Sequence, residues 1–141
     1  MQDLSLHILD IVENSFNAGS SRIDVRIVED RPGNLLTLEI SDNGTGMDES
    51  TLRKVLDPFY TSKPGKRVGL GLPLLAQAAR EAGGRFVLES RPEGGTRVFA
   101  TFEIGHPDRK PLGDVEGIVQ MLRTTHPEIE LHFEYEKRKK P

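Results

Sequence analysis

At 141 residues, 35% hydrophobic and 29% charged, the chain has enough apolar material for one core and too little charge bias for disorder, so we expect one folded unit. Because 19 basic and 22 acidic side chains leave a formal net charge of -3, no general positive field attracts nucleic acid or an anionic membrane. The lack of cysteine excludes disulfides and thiolate zinc sites, and without a signal-peptide pattern or a membrane-spanning apolar run we expect a cytoplasmic protein.

The chain begins with the pattern of a helix followed by a β-hairpin. Apolar residues at spacings of three and four predict a largely buried helix over residues 3–18. Asp10, Asn14 and Asn17 form a polar stripe on it, because offsets of four and three place their side chains on one face. Taken alone, such a stripe is also typical of a solvent-facing helix edge. The predicted hairpin has strands over about 23–28 and 36–40 and a turn over 30–34.

Glycine and proline punctuate the middle of the chain. A glycine-containing loop over residues 42–46 precedes a short helix that Asp48 caps and that ends near Leu56. Residues 57–71 combine prolines, glycines and basic side chains, a composition typical of a functional lid. The predicted elements after it are a helix from about Pro73 to Gly83, strands near 86–88 and 98–102, a helix over 114–124 and a strand over 129–136.

The order of these elements predicts the fold class. Strands occur in adjacent pairs and are not interleaved with helices, which predicts an α+β fold, a two-layer α/β sandwich with helices on one face of a mixed sheet. The helix and strand over residues 105–141 follow a Gly-His-Pro break and are expected to be an extension that packs on the same domain.

The polar stripe on the first helix offers groups for phosphate chemistry. The amide oxygen of Asn14 suits a magnesium ion that keeps several waters and binds mainly through phosphate oxygens. Asp10, one turn earlier, is placed to orient or activate an attacking group. His7 on the same helix is expected to be a pocket-side or packing residue and not a phosphoacceptor. A Walker phosphate loop is absent, because Tyr60 stands six residues before Lys66 and an arginine follows that lysine.

Residues 42–47 and 57–72 carry further candidate ligand groups. Asp42 at a strand end can accept from an exocyclic amine, and Gly44 and Gly46 let the backbone approach a flat ligand, although Asp-x-Gly-x-Gly alone is an ordinary turn. In the second segment, Phe59 and Tyr60 suit either a ligand or the core. Hydrogen-bond donors for phosphate oxygens are offered by Thr61, Ser62, Lys63 and the backbone amides of Gly69, Leu70, Gly71 and Leu72 at a helix start.

Taken in order, these segments resemble the GHKL superfamily of ATP-binding domains, which gyrase, heat-shock chaperones, histidine kinases and mismatch-repair ATPases share. Residues 10–19, DIVENSFNAG, look like the N-box, in the form that mismatch-repair ATPases carry. Residues 58–64, PFYTSKP, resemble the F-box of histidine kinases, 69–72 their second glycine box, and 94–96 the closing strand motif. The resemblance covers residues 4 to about 104.

The resemblance implies a Bergerat ATP-binding fold with a mixed, mostly antiparallel sheet, formed by residues 1–104. It implies that Asn14 holds Mg²⁺, that Asp42 binds the adenine amine of ATP, and that Thr96 supports the same edge through water. Asp10 would be the catalytic group. The other implied nucleotide contacts are Asn17, Gly44, Gly46, Met47, Phe59, Thr61, Ser62, Lys63, Lys66, Arg67, Gly69, Leu70, Gly71 and Leu72.

The activity implied by the resemblance is a regulatory protein kinase of the histidine kinase or anti-sigma kinase type. Only nine residues precede Asp10, so we expect phosphoryl transfer in trans, to an unidentified partner protein. ATPase branches usually carry glutamate where this chain has Asp10, one methylene shorter, which leaves two alternatives open: a non-catalytic module that senses ATP and ADP, and a slow ATPase. A homodimer is also left open, whereas nucleic acid and membranes are not expected partners.

Overall fold

The computed structural model describes residues 3–55 and 71–139, which form four helices and five strands. Each predicted helix and strand in these ranges has a counterpart at nearly the predicted position. In chain order the elements are α1 (Leu4–Asn17), β1 (Arg22–Asp30), β2 (Leu35–Asp42), α2 (Glu49–Val55), α3 (Gly71–Glu81), β3 (Phe86–Ser90), β4 (Thr96–Glu103), α4 (Val115–Thr125) and β5 (Glu130–Arg138).

The five strands form one sheet in the order β3-β4-β2-β1-β5. Three of the four neighbouring pairs are antiparallel, and β5 runs parallel to β1 at the sheet edge. The predicted α+β sandwich with a mixed, mostly antiparallel sheet is therefore confirmed.

One face of the sheet holds the core. Val25 pairs with Ile40 and Ile40 with Val98, so these three buried side chains lie in one row on the same face. Helices α1 and α3 pack together and contribute Ile8 and Leu75 to the same cluster. Because a strand alternates its faces, this row also decides which residue at the strand ends points towards the helices.

The opposite face of the sheet carries charged side chains in pairs. Arg97 lies between Glu39 and Glu89, at 2.5 and 2.6 Å, and Arg26 lies 3.1 Å from Glu134. These pairs are exposed, so each contributes only about 0–1 kcal/mol. Their effect is to keep this face polar, and the ligand cavity described below lies on the other face.

Helix α1 has the predicted extent, with one difference in burial. Asp3 accepts a hydrogen bond from the backbone N–H of Leu6 and caps the helix start, and Ala18 is the cap at its end. Leu6 is an apolar residue of the helix that the sequence predicts to be largely buried, but its side chain is 40% exposed. Among the residues described, no helix combines the length and hydropathy needed to cross a bilayer.

The C-terminal residues complete the sheet and contact α1. The backbone N–H of Leu4 donates to the carbonyl of Pro111 over 2.9 Å, and the ring of Phe16 stacks on His126 with 3.9 Å between the ring centroids. Asp114 caps α4, as predicted, by accepting from the N–H of Gly117. The segment after residue 105 is thus attached to α1 at both helix ends and to β1 through β5.

Candidate functional site

A cavity of about 280 Å³ lies between the core face of the sheet and the helices α1, α2 and α3. Its walls are mostly apolar and come from α1, β2, β4 and the chain around Met47. A mostly apolar cavity with a few convergent polar groups is typical of small-molecule sites. Its polar side chains are Asn14, Ser15, Asn17, Asp42, Thr51 and Thr96.

The polar end of the cavity follows from the strand register. Asp42 is the last residue of β2 and lies opposite Ile23 on one side and Thr96 on the other. Thr96 in turn lies opposite Ser90 on β3. Because residues that lie opposite each other share a face, Asp42, Thr96 and Ser90 continue the core row beyond its last apolar members. The row therefore ends in hydrogen-bonding groups at the end of β2 and the start of β4, beside the cavity.

The carboxylate of Asp42 is held by two donors. Ser15 Oγ donates to Asp42 Oδ2 over 2.7 Å, and the backbone N–H of Gly44 donates to Oδ1 over 2.9 Å. Asp42 lines the cavity, and each of its carboxylate oxygens can accept from a further donor. Since an ionised carboxylate can only accept, a ligand group that donates a hydrogen bond would match this edge of the cavity.

The glycines around Asp42 serve contacts between chain segments. Gly46 has φ +71°, and a Cβ there would lie 1.8 Å from the carbonyl oxygen of Arg91. A Cβ on Gly44 would lie 2.7 Å from Ser20 Oγ, and Gly44 is not among the residues that line the cavity. Gly46 lines the cavity, whereas Gly44 packs against the end of α1 and donates to Asp42. That both glycines let the backbone approach a flat ligand stays a prediction.

Two serines at the site were not predicted to have a role there. Ser15 is buried on α1 at a position where the helical period predicts an apolar residue. Ser90 is partly buried and follows Phe86 and Leu88 in the alternation of β3, where an apolar residue is expected. Ser90 Oγ accepts from the N–H of Met47 and contacts the Gly95 carbonyl and Thr96 Oγ1, each at 2.8 Å. In both cases the sequence shows a serine at a position where the pattern of the element predicts an apolar residue. This departure from the pattern could have indicated a role at the site.

Asn14 and Asn17 line the cavity from α1. The side-chain Nδ2 of Asn14 is buried and has no hydrogen-bond partner among the described residues. Within the same ranges, no group of three or more His, Cys, Asp or Glu side chains is arranged to hold a metal ion. The unpartnered Nδ2 is a hydrogen-bond donor, and the atom of Asn14 that could ligate Mg²⁺ is the amide oxygen. One such oxygen fits Mg²⁺ only where phosphate oxygens and water supply the other ligands.

Asp10 lies one turn before Asn14 but outside the cavity lining, with its side chain exposed. Partial burial raises the pKa of Asp10; His7 nearby lowers it and Glu13 raises it. His7 is 1% exposed, and neither ring nitrogen has a hydrogen-bond partner in the described part of the chain. Burial lowers the pKa of His7, and Lys110 acts in the same direction, while Asp10 and Asp3 oppose it.

The remaining predicted contacts divide into two groups. Met47 and Thr96 line the cavity, as does Leu72, which is buried in the first turn of α3. Gly71 begins that helix. The predicted contacts that lie outside the described residues, together with the predicted lid, are Phe59, Thr61, Ser62, Lys63, Lys66, Arg67, Gly69 and Leu70.

Comparison with known proteins finds relatives of two kinds. The signal transduction histidine-protein kinase AfsQ2 of Streptomyces coelicolor is 31% identical over 119 residues, which are 81% of this chain and 21% of AfsQ2. The DNA mismatch repair protein MutL of Edwardsiella ictaluri is 30% identical over 131 residues, 84% of this chain and 20% of that MutL. The chain thus spans about a fifth of the length of these relatives.

The fold matches that of solved structures as well. The Aquifex aeolicus MutL ATPase domain complexed with ADP superimposes with a TM-score of 0.53 at 20% identity, covering 99% of this chain and 62% of that one. The family described as histidine kinase-, DNA gyrase B-, and HSP90-like ATPase matches residues 2–106. The resemblance seen in the N-box and glycine motifs is therefore confirmed, and the chain belongs to this ATPase family.

Proposed function

We propose that the chain binds ATP in the cavity between α1 and the sheet, with the adenine amine at Asp42. The observation that carries the proposal is the carboxylate of Asp42, oriented by Ser15 and Gly44 at the polar end of an otherwise apolar cavity. A planar base with one exocyclic amine matches apolar walls with a single charged acceptor. Membership of an ATPase family supports the same ligand, as does the ADP bound to the Aquifex aeolicus MutL domain.

Mg²⁺ is part of this proposal. Asn14 would hold the ion through its side-chain amide oxygen, with phosphate oxygens and water completing the coordination. When bound, the ion would neutralise charge on the phosphates during their transfer. The residues proposed to contact the nucleotide lie within 1–104, and we assign residues 105–141 to an extension of the same domain.

We further propose that the bound ATP serves phosphoryl transfer to a partner protein, with Asp10 accepting the proton of the attacking group. Asp10 lies one helical turn from Asn14, and a carboxylate with a raised pKa is a better proton acceptor than an ordinary one. AfsQ2, with which the chain shares 31% identity, is named a histidine-protein kinase.

Two alternatives each have an observation in their favour. Slow ATP hydrolysis is favoured by the MutL relatives and by the N-box, which resembles that of mismatch-repair ATPases. The exposure of Asp10, outside the cavity lining, favours a module that binds ATP and ADP without turning ATP over. All three activities require the same nucleotide site.

Calorimetric titration tests the nucleotide site directly. Mg-ATP and Mg-ADP are titrated into the parent protein, into Asp42→Ala and into Asp24→Ala. Asp24 is the matched control, because it is an aspartate near the same end of the sheet that lies on the opposite face. We expect the parent and Asp24→Ala to bind and Asp42→Ala to lose binding. Absence of binding by the parent, or equal binding by all three proteins, would contradict the site.

ATP labelled at the γ-phosphate separates the three activities. The parent protein is incubated with the labelled ATP and a soluble protein extract, with Asp42→Ala as the control. Transfer in trans puts label on a protein other than the chain, and the control abolishes it. The parent protein is also incubated alone with the labelled ATP. There, free phosphate without protein label indicates an ATPase, and intact ATP after long incubation indicates a binding module.

A further inference from the structure

Ser90 Oγ makes three contacts of equal length behind the cavity. The backbone N–H of Met47, the carbonyl oxygen of Gly95 and Thr96 Oγ1 each lie 2.8 Å from it. Thr96 lines the cavity and Ser90 does not. Ser90 lines a neighbouring surface pocket together with Thr96 and Asp42, so it is placed to act on the cavity through Thr96.

The direction of each hydrogen bond follows from the protons available. Met47 N–H can only donate and the Gly95 carbonyl can only accept, so the single proton of Ser90 must point to Gly95. An O···O distance of 2.8 Å between Ser90 and Thr96 also requires a proton between the two oxygens. The proton that is left for this position belongs to Thr96. Thr96 therefore donates to Ser90 and presents only lone pairs to the cavity.

We propose that Ser90 is a positioning residue that determines which purine the site accepts, by making Thr96 an acceptor. This inference rests on the proposed ATP site. Asp42 can only accept, and with Thr96 oriented by Ser90 the two paired residues at the end of β2 and the start of β4 both accept. At position 6, a 6-amino purine offers two protons to such a pair of acceptors, whereas a 6-oxo purine such as hypoxanthine places a carbonyl oxygen, which has no proton, opposite them. The site then discriminates against inosine and guanosine nucleotides.

The test compares Mg-ATP with Mg-ITP in the parent and in Ser90→Ala. Without the serine oxygen, the Thr96 hydroxyl is free to turn and donate to the 6-oxo group, directly or through a bridging water. We expect the ratio of the dissociation constants, ITP over ATP, to fall roughly threefold to tenfold, the range of one hydrogen bond. A purely structural loosening weakens both nucleotides alike and leaves this ratio unchanged, so the ratio isolates the positioning role.

Three further variants complete the experiment. Ser90→Thr keeps the hydroxyl and should retain the parent ratio. Thr96→Val removes the acceptor and should lower the ratio without any change at Ser90, which tests the inference even where Ser90→Ala does not fold. Adding Ser90→Ala to Thr96→Val should change the ratio no further. An unchanged ratio in the single variants, or an equal effect of Ser90→Ala with and without Thr96, overturns the inference, whereas a parent that binds no ATP overturns the proposed function itself.

Discussion

Ser15 Oγ donates a 2.7 Å hydrogen bond to Asp42 Oδ2, and this contact joins α1 to the last residue of β2. Ser15 also lies 3.3 Å from the carbonyl of Ile11, one turn earlier on the same helix. A hydroxyl with two acceptors nearby directs its proton to the charged one, because charge-assisted hydrogen bonds are stronger. The helix that carries Asn14 therefore also fixes the orientation of the carboxylate proposed to bind adenine.

Ser15→Ala is expected to weaken ATP binding about tenfold, because Asp42 loses a hydrogen bond to a charged group and with it its orientation. Ser5→Ala is the matched control. Ser5 is an equally buried serine of α1, at 4% exposure, but its hydroxyl contacts Asp3 at the helix start. Titration calorimetry with Mg-ATP measures both. Equal affinities of the two variants would show that the contact to Asp42 does not orient the ligand group.

Gly95→Ala is expected to destabilise the fold more than Gly19→Ala. Both glycines have positive φ, +79° and +78°, so alanine meets the same backbone strain at each. A Cβ on Gly95 would lie 2.1 Å from the carbonyl oxygen of Asp42, whereas at Gly19 no atom lies within 4 Å. The overlap at Gly95 should cost about 1–3 kcal/mol beyond the shared strain. Urea unfolding of the two variants gives the difference, and equal losses would contradict it.

Asp10→Asn is expected to reduce phosphoryl transfer or hydrolysis about 100-fold or more while leaving Mg-ATP binding intact, since it removes a proton acceptor outside the cavity lining. The assay is turnover of labelled ATP alongside calorimetry. Glu13→Gln serves as the control, because Glu13 is an exposed carboxylate of the same helix. Loss of activity in both variants would point to a general charge effect and not to Asp10.

The same substitution has a pH signature in stability. Partial burial raises the pKa of Asp10, so the folded protein disfavours the charged form. The resulting loss of stability develops as pH rises above the ordinary aspartate pKa of about 3.9 and is complete above the folded-state pKa. Asp10→Asn should therefore raise the melting temperature at neutral pH and match the parent below about pH 3. A lower melting temperature of the variant at neutral pH would contradict this.

His7 is expected to make the protein less stable as the pH falls below about 6.5. Burial, with Lys110, lowers the pKa of His7 in the folded state, so the unfolded chain takes up the proton first. His7→Leu should remove this part of the pH dependence, measured by urea unfolding between pH 5 and 8. His132→Leu, a change on the opposite sheet face, should retain it. A parent-like slope in His7→Leu would show that another group controls the effect.

Local patterns in the sequence predicted the elements because each depends on near neighbours. The helical period of α1, the alternation in β1 and β2 and the capping residues Asp48 and Asp114 all act within a few positions along the chain. The N-box and glycine motifs predicted the family for the same reason, since their spacing is a property of the sequence alone.

The elements, the fold class and the family could all be predicted from the sequence, and with them the expectation that Asp42 and Asn14 face a nucleotide. The parallel pairing of β5 with β1, the contact from Ser15 to Asp42 across 27 positions and the contact between Ser90 and Thr96 became visible only in the folded chain. These contacts join residues on different elements, and the energy of such a contact depends on how the packed elements place the two groups. When a serine stands where the pattern predicts an apolar residue, its hydrogen-bond partner can therefore be identified only once the pairing of the strands is known.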